Sequence, residues 1–274
     1  MTPFGARLDA AMSALGPLCV GVDPHPPLLE AWDLPVDVSG LARFADACRE
    51  AFAGHVAAVK PQSAFFEAFG AAGSAVLEDL VRTLRAAGTL VVLDVKRGDI
   101  GSTMAAYATA YLDPGSPMAA DAMTVSPYLG VGALAPAFNT ASEHGGGVFV
   151  LARTSNPEGE SLQTATTASG TSVAQAIVAD LGRRNAGQAP FGSLGVVVGA
   201  TITDRLDLTG LDGPVLMPGI GAQGGTAADV ARLVGDHGRR VLPSVSREVL
   251  RYGRSPSALR DAARRLADDL AFLR

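Results

Sequence analysis

The sequence predicts an α/β chain folded as a single-domain (β/α)8 (TIM) barrel with an extra N-terminal helix. Three observations point there. Eight short apolar runs rich in β-branched residues recur along the chain. Stretches of helical periodicity separate them, and such alternation marks a parallel sheet covered on both faces by helices. The length, 274 residues, is close to the ~250 of a typical barrel. Alternation alone also fits a doubly wound open sheet; the count of eight favours closure.

The elements follow in order. MTPFGARLDAAMSALG reads as an amphipathic helix; it contains Asp9 and no long apolar core, so it is a poor secretory signal. The first strand, residues 18–22, runs into Asp23. The helical stretch LARFADACREAFAG leads to the second strand, 56–59, which runs into Lys60. AVLEDLVRTLRAAG, ending in glycine as helix C-termini often do, leads to the third, 90–95. STMAAYATAYL precedes the fourth, 122–125, and the fifth, 148–151, runs into Arg153 and TSNP. Residues 158–172 are polar and rich in Ser, Thr and Gly, which reads as a mobile βα loop or an inert surface insertion. After SVAQAIVADLGRRNAG come the sixth strand, 194–198, running into Thr201, and the seventh, 215–217, running into GIGAQGG. The eighth, 240–245, runs into Ser246 and Arg247. No linker interrupts the pattern, so residues 1–274 read as one domain.

Composition narrows the function classes. Hydrophobic residues make up 48% and charged residues 18%, enough for a large core and too apolar for disorder. A net charge of -5 gives no general attraction to nucleic acid or anionic membrane. No apolar run approaches the ~20 residues that span a bilayer, and a cytoplasmic protein is expected. Cys19 and Cys48 have no metal-ligand spacing and read as buried reduced thiols; His25, His55, His144 and His237 are scattered and read as non-ligands.

The chemistry concentrates in VVLDVKRGDIGST. Asp94 and Lys96 are two apart at the end of an apolar strand and share a face. Facing the barrel interior, they would sit where barrel active sites lie. Asp99 follows at the start of the next helical pattern, where it is either a third member of the cluster or a helix N-cap. The pair itself is either functional or a structural ion pair, with Lys96 snorkelling to solvent. Polar groups at the other strand ends, namely Asp23, Lys60, Arg153, Thr201 and Arg247, favour a functional site. The Gly-rich turn after strand seven with Gln223, and Arg247 after strand eight, suit a phosphate: backbone N–H groups can approach the anion and a guanidinium can bind it bidentately.

With these residues in place, LDVKRGDIGST, carrying D-x-K-x-x-D, and PGIGAQGG resemble the orotidine 5'-phosphate decarboxylase family. VGVDPHP, AAVKPQSAFFE, TSNPEG and VVVGAT add to the resemblance, which covers nearly the whole chain and is similar to the longer bacterial, actinobacterial-type branch. The resemblance implies a (β/α)8 barrel, usually a homodimer with active sites at the subunit interface. It implies decarboxylation of orotidine 5'-monophosphate to uridine 5'-monophosphate, the last step of pyrimidine nucleotide synthesis, with no metal or organic cofactor. It implies Lys96 as proton donor, Asp94 beside the substrate carboxylate, Asp99 contributed across the interface, and Lys60 completing the charged array. Asp23 and Lys60 would contact the ribose, Ser155 the pyrimidine, Thr103 the substrate, and Gln223 and Arg247 the phosphate. Many members have Gly where this chain has Ser246; its N–H and hydroxyl are both expected to serve the phosphate. The rival readings are a Mg²⁺-dependent sugar-phosphate lyase of the same superfamily, which places a metal-binding carboxylate where this chain has Lys60, and a phosphate-ligand-binding barrel without catalysis.

Overall fold

The computed structural model describes residues 1–221 and 224–273. Every one of the eight expected runs is a strand: β1 Cys19–Val22, β2 Ala58–Pro61, β3 Leu90–Arg97, β4 Ala122–Val125, β5 Gly147–Arg153, β6 Leu194–Val198, β7 Val215–Pro218 and β8 Val241–Val245. Each pairs in parallel with its sequence neighbours. Cys19 and Val20 of β1 pair with Ser244 and Val245 of β8, which closes the barrel and rules out the open sheet.

The strands are apolar on both faces because both are buried. Outward residues such as Val20, Val59, Val91, Leu93, Val148 and Val196 pack under the helices. The helix Val38–Phe52 shows how the sequence produces this layer. Asp37 caps it, accepting from the Gly40 N–H at 2.9 Å. Its buried residues Leu41, Phe44, Ala45, Cys48 and Phe52 recur at the three-to-four spacing of one helical face.

Inward residues of the strands form a second cluster at the N-terminal end of the barrel: Ala58, Val92, Ala122, Phe149, Leu216 and Leu242. The helix Phe4–Leu15 seals that end with Phe4, Leu8 and Met12. The Phe4 ring stands edge-on to Phe149 at 5.9 Å between centroids. Gly147 is required beneath it, since a Cβ there would lie 2.3 Å from the ring. Arg7 donates to Asp121 at 2.6 Å and to the Gly145 carbonyl at 2.9 Å.

Both cysteines are free and buried. Burial pushes the Cys19 thiol up to about 12 and raises Cys48 well above the usual thiol range. The segment read as a loop or insertion over 158–172 contains regular structure. Pro157–Gln163 is a helix, favoured by Pro at its first position and by Glu158 and Glu160 in its first turn. Beyond it the chain folds back on itself, with Thr166 bridging Ser172.

Candidate active site

Most of the polar strand ends, though not Arg153 or Thr201, meet in one cavity of about 610 Å³ at the C-terminal mouth of the barrel. Asp23, Lys60, Asp94, Lys96, Ser155, Ser246 and Arg247 all line it. Leu151, Val197 and Leu216 form an apolar part of its lining.

Asp94 is the hub. It is 6% exposed, and Lys60, at 7%, donates to its Oδ2 at 2.8 Å. Lys96 donates to its Oδ1 at 2.6 Å, and the Thr124 hydroxyl to the same oxygen at 2.8 Å. Burial by itself would raise the Asp94 carboxyl; the ammonium groups of Lys60 and then Lys96 outweigh it and hold the carboxyl well below the usual carboxylate range. Burial would likewise lower Lys60, but the charges of Asp94 and Asp23 prevail and keep its ammonium above the ordinary lysine value.

The closeness of Lys96 to Asp94 needs more than strand alternation. Leu93 pairs with Met123 and Arg97 with Val125, so β3 spends four residues where β4 spends two. Within this bulge Lys96 has φ +43°, a left-handed conformation that costs an ordinary side chain about 1–2 kcal/mol. The strand is bent where the ammonium meets the carboxylate.

Where β1 meets β8, Gly21 lets the strand ends approach: a Cβ there would fall 2.7 Å from Ser246 Cβ and 3.3 Å from Asp23 Oδ2. Asp23 Oδ1 and Ser246 Oγ are buried and have no hydrogen-bond partner among the described residues. Buried polar atoms are nearly always paired, so these two are poised for a polar ligand. Ser155 sits against Gly199, where a Cβ would lie 2.9 Å from the Ser155 nitrogen. The turn after β7 is tied by Gly221 N–H to the Gly225 carbonyl at 2.8 Å. Gln223 lies outside the described residues.

Two expected site residues do not reach the cavity of their own chain. Asp99 accepts from the Ile100 N–H at 2.8 Å, and Thr103 is exposed on the helix Gly101–Leu112. The N-cap of that helix is Ile100, with no side-chain cap bond, so the capping reading of Asp99 is corrected. Around them Ile100, Tyr128 and Leu129 are 61%, 77% and 53% exposed. The two loops bearing these residues touch at Gly98, where a Cβ would fall 2.5 Å from the Ser126 carbonyl. Arg153 is buried in an ion pair with Asp204, its Nε at 3.0 and 3.1 Å from the two carboxylate oxygens.

Sequence reasoning missed Gln62, Thr124, Ser244 and the edge-on pair His25–Phe65, all of which line the cavity. Gln62, Thr124 and Ser244 continue the inward alternation of their strands, a signal present in the sequence once the register is known. Among the described residues no group of three or more His, Cys, Asp or Glu side chains could hold a metal ion, and no helix is long and apolar enough to cross a membrane.

The family model described as "Orotidine 5'-phosphate decarboxylase / HUMPS family" matches residues 16–262. The orotidine 5'-phosphate decarboxylase of Salinispora arenicola is 59% identical over 270 residues, 98% of this chain and 97% of that protein. The one from Streptomyces coelicolor is 57% identical over 272 residues, 98% of each. A crystal structure from Streptomyces avermitilis superposes with a TM-score of 0.97 at 55% identity, covering 100% of this chain and 96% of that one. The Leishmania donovani OMP decarboxylase superposes with a TM-score of 0.75 at 29% identity, covering 99% of both chains.

Proposed function

The chain belongs to the orotidine 5'-phosphate decarboxylase family, and on that premise we propose that it converts orotidine 5'-monophosphate to UMP, the last step of de novo UMP synthesis, with Lys96 delivering the proton. The observation that carries this reading is the buried Asp94 carboxylate held between the Lys60 and Lys96 ammonium groups at the mouth of the barrel.

The C6–CO₂ bond breaks and its electron pair stays on C6. The Lys96 ammonium, held at the cavity wall by Asp94, stabilises that developing charge and then protonates the carbon. The neutral amine regains a proton from solvent. Asp94 faces the departing carboxylate and Lys60 balances its charge. The unpartnered Asp23 Oδ1 takes a ribose hydroxyl, with Lys60 beside it. Ser155 bonds the pyrimidine, while Arg247, Ser246 and Gln223 take the phosphate. Phosphate binding, remote from C6, is then available to hold the reacting ring in place.

One barrel, residues 1–274, is the catalytic unit, and we place it in a homodimer. The exposure of Ile100, Tyr128 and Leu129 supports an interface at the β3 and β4 loops. Asp99 and Thr103 of the partner subunit would then complete each site. Two buried free thiols fit a reducing compartment and favour the cytoplasm.

Purified protein treated with EDTA is expected to convert orotidine 5'-monophosphate to UMP, followed by ultraviolet absorbance. A strict need for added Mg²⁺ would favour the sugar-phosphate lyase reading, and absence of turnover would favour a binding protein.

A further inference from the structure

We propose that Thr124 is a positioning residue for this decarboxylation, its single hydroxyl setting both the Asp94 carboxylate and the backbone turn that carries Lys96. The inference rests on Lys96 being the proton donor.

Thr124 lies on β4, is 1% exposed and lines the cavity. Its Oγ1 accepts from the Val95 N–H at 3.1 Å and from the Lys96 N–H at 3.0 Å. A backbone N–H can only donate, so both acceptor positions of the hydroxyl are taken. Its one proton is therefore directed to Asp94 Oδ1, 2.8 Å away. The orientation follows from this inventory of donors and acceptors.

The two accepted bonds fall inside the bulge of β3, where the ladder to β4 is interrupted. There Thr124 supplies from its side chain the acceptor that a regular ladder would supply from a carbonyl. That bond is made at Lys96 itself, the residue held at φ +43°. The donated bond joins the Lys96 ammonium on the same carboxylate oxygen. One atom thus ties the backbone of the proton donor to the anion that holds its side chain. Losing it frees the lysine to relax toward an ordinary strand conformation and frees the carboxylate to rotate.

Thr124→Val keeps the branched shape and removes the hydroxyl. Its kcat is expected to fall on the order of 10²-fold, the scale of a misplaced reacting group, with KM little changed. The fall should appear in kcat/KM as fully as in kcat, as for an interaction that matters in the transition state rather than in substrate binding. Amide hydrogen exchange at Val95 and Lys96 should quicken. Thr124→Ser should restore all three readouts. If Thr124→Val does not fold, Thr124→Cys, similar in size with a weaker acceptor, carries the same expectations. A folded Thr124→Val enzyme with wild-type kcat overturns the proposal, as does a Thr124→Ser enzyme no better than Thr124→Val. Absence of turnover in the wild-type protein would defeat the decarboxylase reading, and the amide exchange of the variants would still report the clamp.

Discussion

Asp94 sets the behaviour of the site at the scale of single residues. Its carboxyl ionises at lower pH in the folded protein than in the unfolded chain. Its contribution to stability is therefore complete above about pH 4 and is lost as pH falls below that. Lys60 behaves oppositely: its raised value means a contribution complete below about pH 10 and lost as pH rises further. Replacing Asp94 by Asn leaves the Lys60 ammonium buried without its partner, and a loss of about 3 kcal/mol is expected at neutral pH. Melting temperatures across a pH series would check it, with the gap between wild type and Asp94→Asn narrowing below about pH 4. The cluster was legible in the sequence because carboxylates and lysines stand out at apolar strand ends. Thr124 was not, because a threonine in AMTV is ordinary strand composition until the barrel supplies its neighbours. The bulge was hidden as well, since a left-handed lysine contradicts local propensity and is held by contacts from another strand.

At the scale of elements, all eight strands were readable because both faces are buried and each run is apolar nearly throughout. Their ends were less so: β3 continues to Arg97 and β5 to Arg153, beyond the apolar residues that mark them. The helix Pro157–Gln163 escaped for the complementary reason, having no buried residue and therefore no apolar stripe to betray it. Its place is fixed by polar bonds: the Gln163 side chain accepts from the Thr154 N–H at 2.8 Å and donates to the Thr154 hydroxyl at 2.7 Å. The helix Phe4–Leu15 was visible as a helix, but its docking site was not, because that site is assembled from strands distant in sequence. Phe4→Ala should leave a void beneath this helix and cost about 3–5 kcal/mol, read as a lower denaturation midpoint. KM should stay near wild type, since the change lies at the opposite end of the barrel from the cavity.

At the scale of the whole molecule, the position of Asp99 outside its own cavity matters most. Asp99→Ala and Lys96→Ala subunits, each inactive alone, should regain part of the wild-type activity when mixed under conditions of subunit exchange. A quarter of the sites at most would then combine an intact Lys96 with an intact Asp99, about half of each mixed dimer's capacity. Mixed dimers shown to form yet remaining inactive would argue that Asp99 acts within its own chain. Closure of the barrel was predictable from the number of strands, but the exposure of Ile100, Tyr128 and Leu129 was not, since it depends on how loops distant in sequence pack. The sealed N-terminal end has a further consequence, in the order of synthesis. Gly5 donates to the Ser193 hydroxyl across 188 positions of chain. The helix Phe4–Leu15 emerges from the ribosome ahead of every strand, yet its seat on Phe149 and Ser193 exists only once β5 and the segment before β6 have been made. A segment translated before every strand is thus among the last to be housed, and through that interval its apolar face must be kept from other partners.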